Sequence, residues 1–236
     1  KEIHEEPRAV RDTISPRIHE GRIRFTEIQL DEAFMSGIDR IRVIACGTAL
    51  HAGVVGKILI EKFCRIPVEV DYASEFRYRD PIVTDKTLVI IISQSGETLD
   101  TLAAMREAKH RGGRILAIVN VVGSSIAREA DAVIYTAAGP EIAVASTKAY
   151  NTQLAALSLL AIEMGRLTGH LDEATYSHYV QEMVRLPELL QTTLEAKDEI
   201  QRFSSLHFNE KSIFFIGRGL DYALSMEASL KLKEIS

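Results

Sequence analysis

The sequence predicts an α/β protein built on a doubly wound parallel sheet. Three observations carry that expectation. Several short runs are apolar throughout, each is followed by a segment with apolar residues at helical spacing, and the turns between them are rich in glycine, serine and threonine. Strands apolar on both faces belong in a sheet covered by helices on both sides, and right-handed crossovers then place those helices.

The first forty residues read as a polar helical arm or linker, with breaks at Pro7 and Pro16 and an amphipathic stretch from about Phe25 to Ile38. At Ile41 the pattern changes to a strand, 41–46, followed by Gly47 and a helix over 49–63. A short strand (67–71), a fully apolar strand (87–92) and a helix (97–112) stopped by Gly112-Gly113 come next. The segments 114–120, 124–130 and 132–136 continue the alternation as strand, helix, strand. From Ser146 to Leu167 the spacing is helical, and a charged amphipathic region from Asp172 to about Leu206 extends it, with joints expected at Gly169 and Pro187. The strand pattern restarts at 212–217 and leads into a helix over 221–235. Gly47 and Gly217, 170 residues apart, occupy equivalent strand-to-helix turns, so this restart reads as the opening of a second copy of the domain. The expected organisation is an arm over 1–40, a first domain over 41–170, a helical connector over 171–210 and the first strand and helix of a second copy over 211–236.

Composition narrows the function classes. A formal charge of −5 gives no reason to expect a nucleic-acid or anionic-membrane partner, so any anion site must be local. Cys46 and Cys64 form no CxxC pair and the seven histidines form no ligand pattern, which argues against a disulfide scaffold or a zinc site and fits a reducing cytosol. Lys1 to Pro7 is charged, unlike a signal peptide, and no apolar stretch approaches membrane-spanning length. The absence of an initial Met, and the end at Ser236 directly after a helical run, raise the expectation that the chain is a segment of a longer polypeptide.

The stretch with most chemical content is Ser93-Gln94-Ser95-Gly96-Glu97-Thr98, between a strand and a helix. Such a turn aims backbone N–H groups and the positive helix end at one point, Ser93, Ser95 and Thr98 add hydroxyls, and Gly96 permits close approach to the backbone. A neutral, hydroxyl-rich cradle suits a sugar phosphate that must bind and leave quickly, whereas a nucleotide site of the GxxxxGK[ST] type, with its lysine and metal, is missing. The bland alternative makes Ser95 an N-cap and Glu97 a first-turn acid. Three hydroxyls within six residues, at the carboxyl end of a parallel strand, favour the ligand site. Cys46-Gly47-Thr48 is a second strand-to-helix turn able to face the same crevice. Asp71, 24 residues after Gly47, raises a dinucleotide alternative, which lacks the second glycine of G-x-G-x-x-G. Ser146 or Thr147 reads as an N-cap or a ligand hydroxyl, and Lys148 as a solvated charge. Lys231 and Glu234 share a helix face, either as a solvated ion pair or as a general base with an adjacent cation. No histidine is assigned a role.

Read together, ACGT (45–48), ASEFRYR (73–79), SQSGET (93–98), GSS (123–125), EIAVASTKA (141–149), GRG (217–219) and LKLKEIS (230–236) resemble the SIS (sugar isomerase) fold, and more narrowly the isomerase region of the glucosamine-6-phosphate synthase family. SQSGET alone indicates an SIS domain; its combination with ASEFRYR, VASTK and LKLKEIS points to the synthases. The resemblance implies a flavodoxin-like three-layer sandwich and the conversion of fructose 6-phosphate and glutamine into glucosamine 6-phosphate and glutamate, in cytoplasmic amino-sugar biosynthesis, without metal or cofactor. It also implies that Thr48, Ser93, Gln94, Ser95, Thr98, Val144 and Ser146 bind the sugar phosphate, and that Glu234 moves a proton between C1 and C2 with Lys231 beside it. Ala49 stands where the family commonly has serine. The family's glutaminase domain, its C-terminal sugar-binding lysine and its ring-opening histidine have no counterpart among these residues. The expectation is therefore a chain that binds sugar phosphate weakly or not at all and does not turn over, from a family that dimerises through its SIS domains. The other readings are a different SIS sugar-phosphate isomerase or deglycase, and a non-catalytic sugar-phosphate sensor.

Overall fold

A computed structural model describes all residues, 1–236. Its centre is a five-stranded parallel sheet of β1 (Arg40–Ala45), β2 (Val68–Tyr72), β3 (Thr87–Ser93), β4 (Arg114–Val119) and β5 (Ala132–Tyr135), in the order β2-β1-β3-β4-β5. This is the flavodoxin-like order, whose switch point lies between β1 and β3. The period-two alternation of β3 explains the apolar run: Leu88, Ile90 and Ile92 enter the core on one face, and Val89 and Ile91 enter the core on the other.

The helices are α1 (Glu6–Ile14), α2 (Glu32–Ser36), α3 (Gly47–Cys64), α4 (Leu99–His110), α5 (Ser125–Glu129), α6 (Lys148–Leu167), α7 (Glu173–Leu194), α8 (Lys197–His207) and α9 (Leu220–Ile235). The larger core joins the sheet to α3, α6, α7 and α1, and the smaller one joins it to α4, α5 and the single helical turn Ala73–Phe76. Helices α3 and α4, which follow β1 and β3, therefore lie on opposite faces and leave a crevice at the carboxyl ends of those strands. The buried thiol of Cys64 is pushed up to about 12 by desolvation, so it serves as core rather than as a nucleophile.

The sheet and its helices match the sequence expectation to within about two residues, but several local expectations need correction. Residues 1–40 are not a separate arm. Val10 and Ile14 of α1 are buried in the larger core, and Arg17 donates to the carbonyls of Thr13 and Tyr135. Pro7 occupies the first turn of α1, where its missing N–H leaves nothing unpaired, so it starts a helix instead of breaking one. The stretch from Phe25 to Ile38 contains only the short α2, preceded by a two-residue antiparallel hairpin, Ile18–His19 with Arg22–Ile23. Pro187 lies inside α7, which runs through it unbroken, whereas the joint at Gly169 forms with a left-handed backbone.

The strand expected at 212–217 does not form. That segment is irregular and exposed, with Phe214 at 87% and Ile216 at 89% of full accessibility. An isolated β-prone run cannot pair its backbone N–H and C=O groups, and neither edge of the five-stranded sheet takes it up. The following helix α9 does form and docks on α3 through Ala223 and Glu227, its two buried residues. No helix is long and apolar enough to cross a membrane.

Candidate functional site

A cavity of about 270 Å³ opens at the carboxyl end of the sheet, beside the crevice between β1 and β3. Thr48, Ser93, Gln94, Ser95, Thr98, Val144 and Ser146 all border it, together with Cys46, Ala49, Thr101, Glu141, Ala143 and Gln153. Its volume of about 270 Å³ lies just under the roughly 300–1,000 Å³ common for ligand pockets, so the enclosed space limits it to a small ligand. The seven residues expected to bind a sugar phosphate thus come from three separate turns that the sheet brings together: β1–α3, β3–α4 and the loop before α6.

The β3–α4 turn is rigid because its own side chains hold it. The amide of Gly96 donates to Ser93 Oγ at 3.0 Å, the amide of Glu97 donates to Ser95 Oγ at 3.2 Å, and the Ser93 and Thr98 hydroxyls lie 3.2 Å apart. Gly96 has φ +65°, a left-handed backbone, and a Cβ there would fall 2.0 Å from Ser124 Oγ and 2.6 Å from Ser124 Cβ. The glycine is therefore required twice, by backbone and by space. Helix α4 begins at Leu99, with Thr98 rather than Ser95 at the N-cap position. Glu97 lies outside the helix. Its carboxylate accepts from the amide of Ser125 at 2.7 Å, and that bond holds its pKa below the usual value. Both residues therefore depart from the N-cap and first-turn alternative.

The loop before α6 is held from elsewhere. Glu141 caps α6 by accepting from the amides of Thr147 (2.9 Å) and Ala149 (3.2 Å), and its other oxygen accepts from Ser146 Oγ at 2.9 Å. Neither Ser146 nor Thr147 caps the helix with its own hydroxyl. The Glu2 carboxylate accepts from the amides of Ile142 and Ala143. Lys148 is not the solvated charge that its helix position implied. It is 2% exposed and paired with Glu5 at 2.5 Å, a bond that lowers the Glu5 pKa.

Lys231 and Glu234 of α9 do share a face, with Nζ and Oε2 2.5 Å apart. They do not border the 270 Å³ cavity, but Lys231 Nζ donates to Thr48 Oγ1 at 3.0 Å and so connects the pair to its wall. Glu227, which the sequence reading missed, organises this contact. It is 5% exposed, accepts from Thr48 Oγ1 at 2.9 Å, lies 2.7 Å from His51 Nδ1 and 3.4 Å from Lys231 Nζ. The hydroxyl of Tyr150 is pushed up to about 12 by burial, with the Glu227 charge adding to the effect. A signal for Glu227 was present: positions 227, 231 and 234 fall on one helical face, and Thr48 and His51 share a face three residues apart on α3. His51, to which no role was assigned, thus belongs to the network that fastens α9.

Asp71 is not available to a ribose. It is 5% exposed and engaged by Arg42 at 3.1 Å and by Arg79. This ion cluster also explains how Arg42 is buried in the middle of β1. No group of His, Cys, Asp or Glu side chains is arranged to hold a metal ion.

Comparison with known proteins identifies the fold and its relatives. Residues 34–163 match the family described as "SIS domain". The whole chain is 56% identical to part of the glutamine–fructose-6-phosphate aminotransferase (isomerizing) of Caldanaerobacter subterraneus subsp. tengcongensis, and 54% identical to part of the protein of that name from Clostridium acetobutylicum. In each case it spans 39% of the relative's length. Among solved structures, the C-terminal domain of glucosamine-fructose-6-phosphate aminotransferase from Francisella tularensis superposes with a TM-score of 0.93 at 39% identity, over 99% of this chain and 66% of that one.

Proposed function

The chain belongs to the SIS-domain family, and from that premise we propose that it is the sugar-phosphate isomerase region of an enzyme that makes glucosamine 6-phosphate and glutamate from fructose 6-phosphate and glutamine. The observation that carries this reading is the meeting of seven hydroxyl, amide and small apolar residues around one cavity, with Lys231 and Glu234 bonded to its wall through Thr48. The turn at 93–98 takes the phosphate, using neutral hydroxyls and the N-terminal end of α4. Val144 and Ser146 close the opposite part of the wall.

In this reading Glu234 is the general base. Its carboxylate removes a proton from C1 of the protonated fructose 6-phosphate imine, giving a neutral enaminol. The same proton is delivered to C2 while the C1 hydroxyl releases its own proton, which leaves the aldehyde and amine of the aldose. Lys231 orients that carboxylate. Nitrogen enters as ammonia released from glutamine by a glutaminase domain of the whole enzyme. The same reading carries a cytoplasmic homodimer formed through SIS domains, with 220–235 as the first helix of a second SIS copy, and no nucleic-acid or membrane partner. Engagement of Asp71 by two arginines disfavours the dinucleotide alternative.

Backbone NMR titration of the chain distinguishes the two ligand classes. Millimolar fructose 6-phosphate is expected to shift the amides of 93–98 saturably, and NADH is expected to leave them in place. Saturable shifts with NADH alone would contradict the proposal.

A further inference from the structure

One buried polar group at the cavity has no task in the contacts described so far. Gln153, on α6, is 3% exposed and borders the 270 Å³ cavity, and its Oε1 has no hydrogen-bond partner. Five buried side-chain polar atoms lack partners in this protein: Arg17 Nε, Ser124 Oγ, Thr147 Oγ1, Tyr150 Oη and Gln153 Oε1. Only Gln153 among these residues borders this cavity. The hydroxyls around it are already engaged, Thr48 with Glu227, Ser93 with Thr98 and Ser146 with Glu141.

A buried amide oxygen without a donor carries the desolvation cost of an unmade hydrogen bond, and a hydrophobic side chain of the same length would avoid it. A cavity-bordering amide left in that state is poised for a donor that arrives with the ligand. A neutral amide offers no net charge to a phosphate, but it pairs well with a hydroxyl, which can both donate and accept. We infer that Gln153 is a further substrate-binding and specificity-determining residue, accepting a hydrogen bond from a hydroxyl on the carbon chain of the phosphosugar while the 93–98 turn holds the phosphate. This inference rests on the phosphosugar reading of the cavity. Its functional consequence is selectivity, because a site built to bond a substrate hydroxyl rejects a ligand that lacks it far more strongly than an apolar wall could.

The test compares the wild-type chain with Gln153→Leu and the volume-matched Gln153→Met, using fructose 6-phosphate and inorganic phosphate as separate probes in NMR titrations. Both variants are expected to weaken fructose 6-phosphate binding about tenfold, or ~1.4 kcal/mol, and to leave phosphate binding unchanged. Their melting temperatures should equal or exceed that of the wild type, because an unsatisfied buried atom has been removed. A glutamine that merely packs the core would give the opposite result, lower stability with unchanged sugar selectivity, and would overturn the inference. Equal weakening toward both probes would also overturn it, since the amide would then act on the phosphate. Wild-type binding of fructose 6-phosphate that both variants retain in full defeats only the role of Gln153. A wild-type chain whose 93–98 amides respond to neither probe even at the solubility limit, where the weak binding expected of this chain would register, defeats the phosphosugar reading itself, and the inference with it.

Discussion

Replacing Gly96 by alanine is expected to lower the melting temperature by roughly 5–15 °C and to eliminate sugar-phosphate binding, at about 2–4 °C per kcal/mol for a protein of this size. Two costs add. A residue with a Cβ in the left-handed region loses about 1–2 kcal/mol, and the new methyl group would lie 2.0 Å from Ser124 Oγ and 2.6 Å from Ser124 Cβ. Overpacking of that kind costs about 1–3 kcal/mol further. Ser124 cannot simply retreat, because it is buried and its backbone bonds to Val121 and Arg128. Whatever shift relieves the clash must move the turn whose amides Ser93 and Ser95 hold in place, and with it the proposed phosphate cradle. Gly123 supplies the control. It has φ +71° but open space where a Cβ would be, so Gly123→Ala should show only the backbone cost. Thermal denaturation of both variants checks the comparison. Equal effects would mean that close packing at Gly96 is irrelevant.

Glu227→Ala is expected to release α9 from α3. The helix buries only Ala223 and Glu227, so the carboxylate that joins Thr48, His51 and Lys231 supplies most of its specific attachment. Removing one member of a buried charged network costs about 3–5 kcal/mol, more than a helix with so little apolar burial is able to lose. Amide hydrogen exchange should then show 220–235 exchanging as fast as the exposed 209–219 segment, while β1, β3 and β4 keep their protection. Glu227→Gln, which keeps an acceptor for Thr48 but loses the charge, should fall between the two. Unchanged protection of 220–235 in Glu227→Ala would show that the docking is apolar. Because Lys231 and Glu234 ride on this helix, the same variant should also remove the candidate proton-transfer pair from the cavity wall.

The parts of this structure that were legible in the sequence are those with local causes. The run from Leu88 to Ile92 reads as a strand buried on both faces, and the serines and glycine that follow it mark the carboxyl end of that strand, where the cavity opens, as a candidate ligand site. The turn at Thr48 reads as a second strand-to-helix turn able to face the same crevice, but Ser146 could be associated with that cavity only by resemblance, since the sheet order that unites them is not a local property. What was not legible depends on distant partners. Lys148 is buried because Glu5, 143 residues away, neutralises it. Glu141 caps a helix from outside it, and Glu227 acquires its role only when α9 lies on α3. The segment 212–217 failed as a strand for a complementary reason. Its residues favour extended backbone, but a strand is stable only beside another, and none is adjacent.

Isothermal titration with fructose 6-phosphate, comparing the native chain with Ser95→Ala and Thr98→Val, tests the central claim most directly. The hydroxyls at 93–98 are assigned to the phosphate, and a hydrogen bond to a charged group is worth about 1.5–3 kcal/mol. Each variant should therefore bind at least tenfold more weakly than the native chain. Equal affinities in all three proteins would contradict the assignment of this turn as the phosphate cradle.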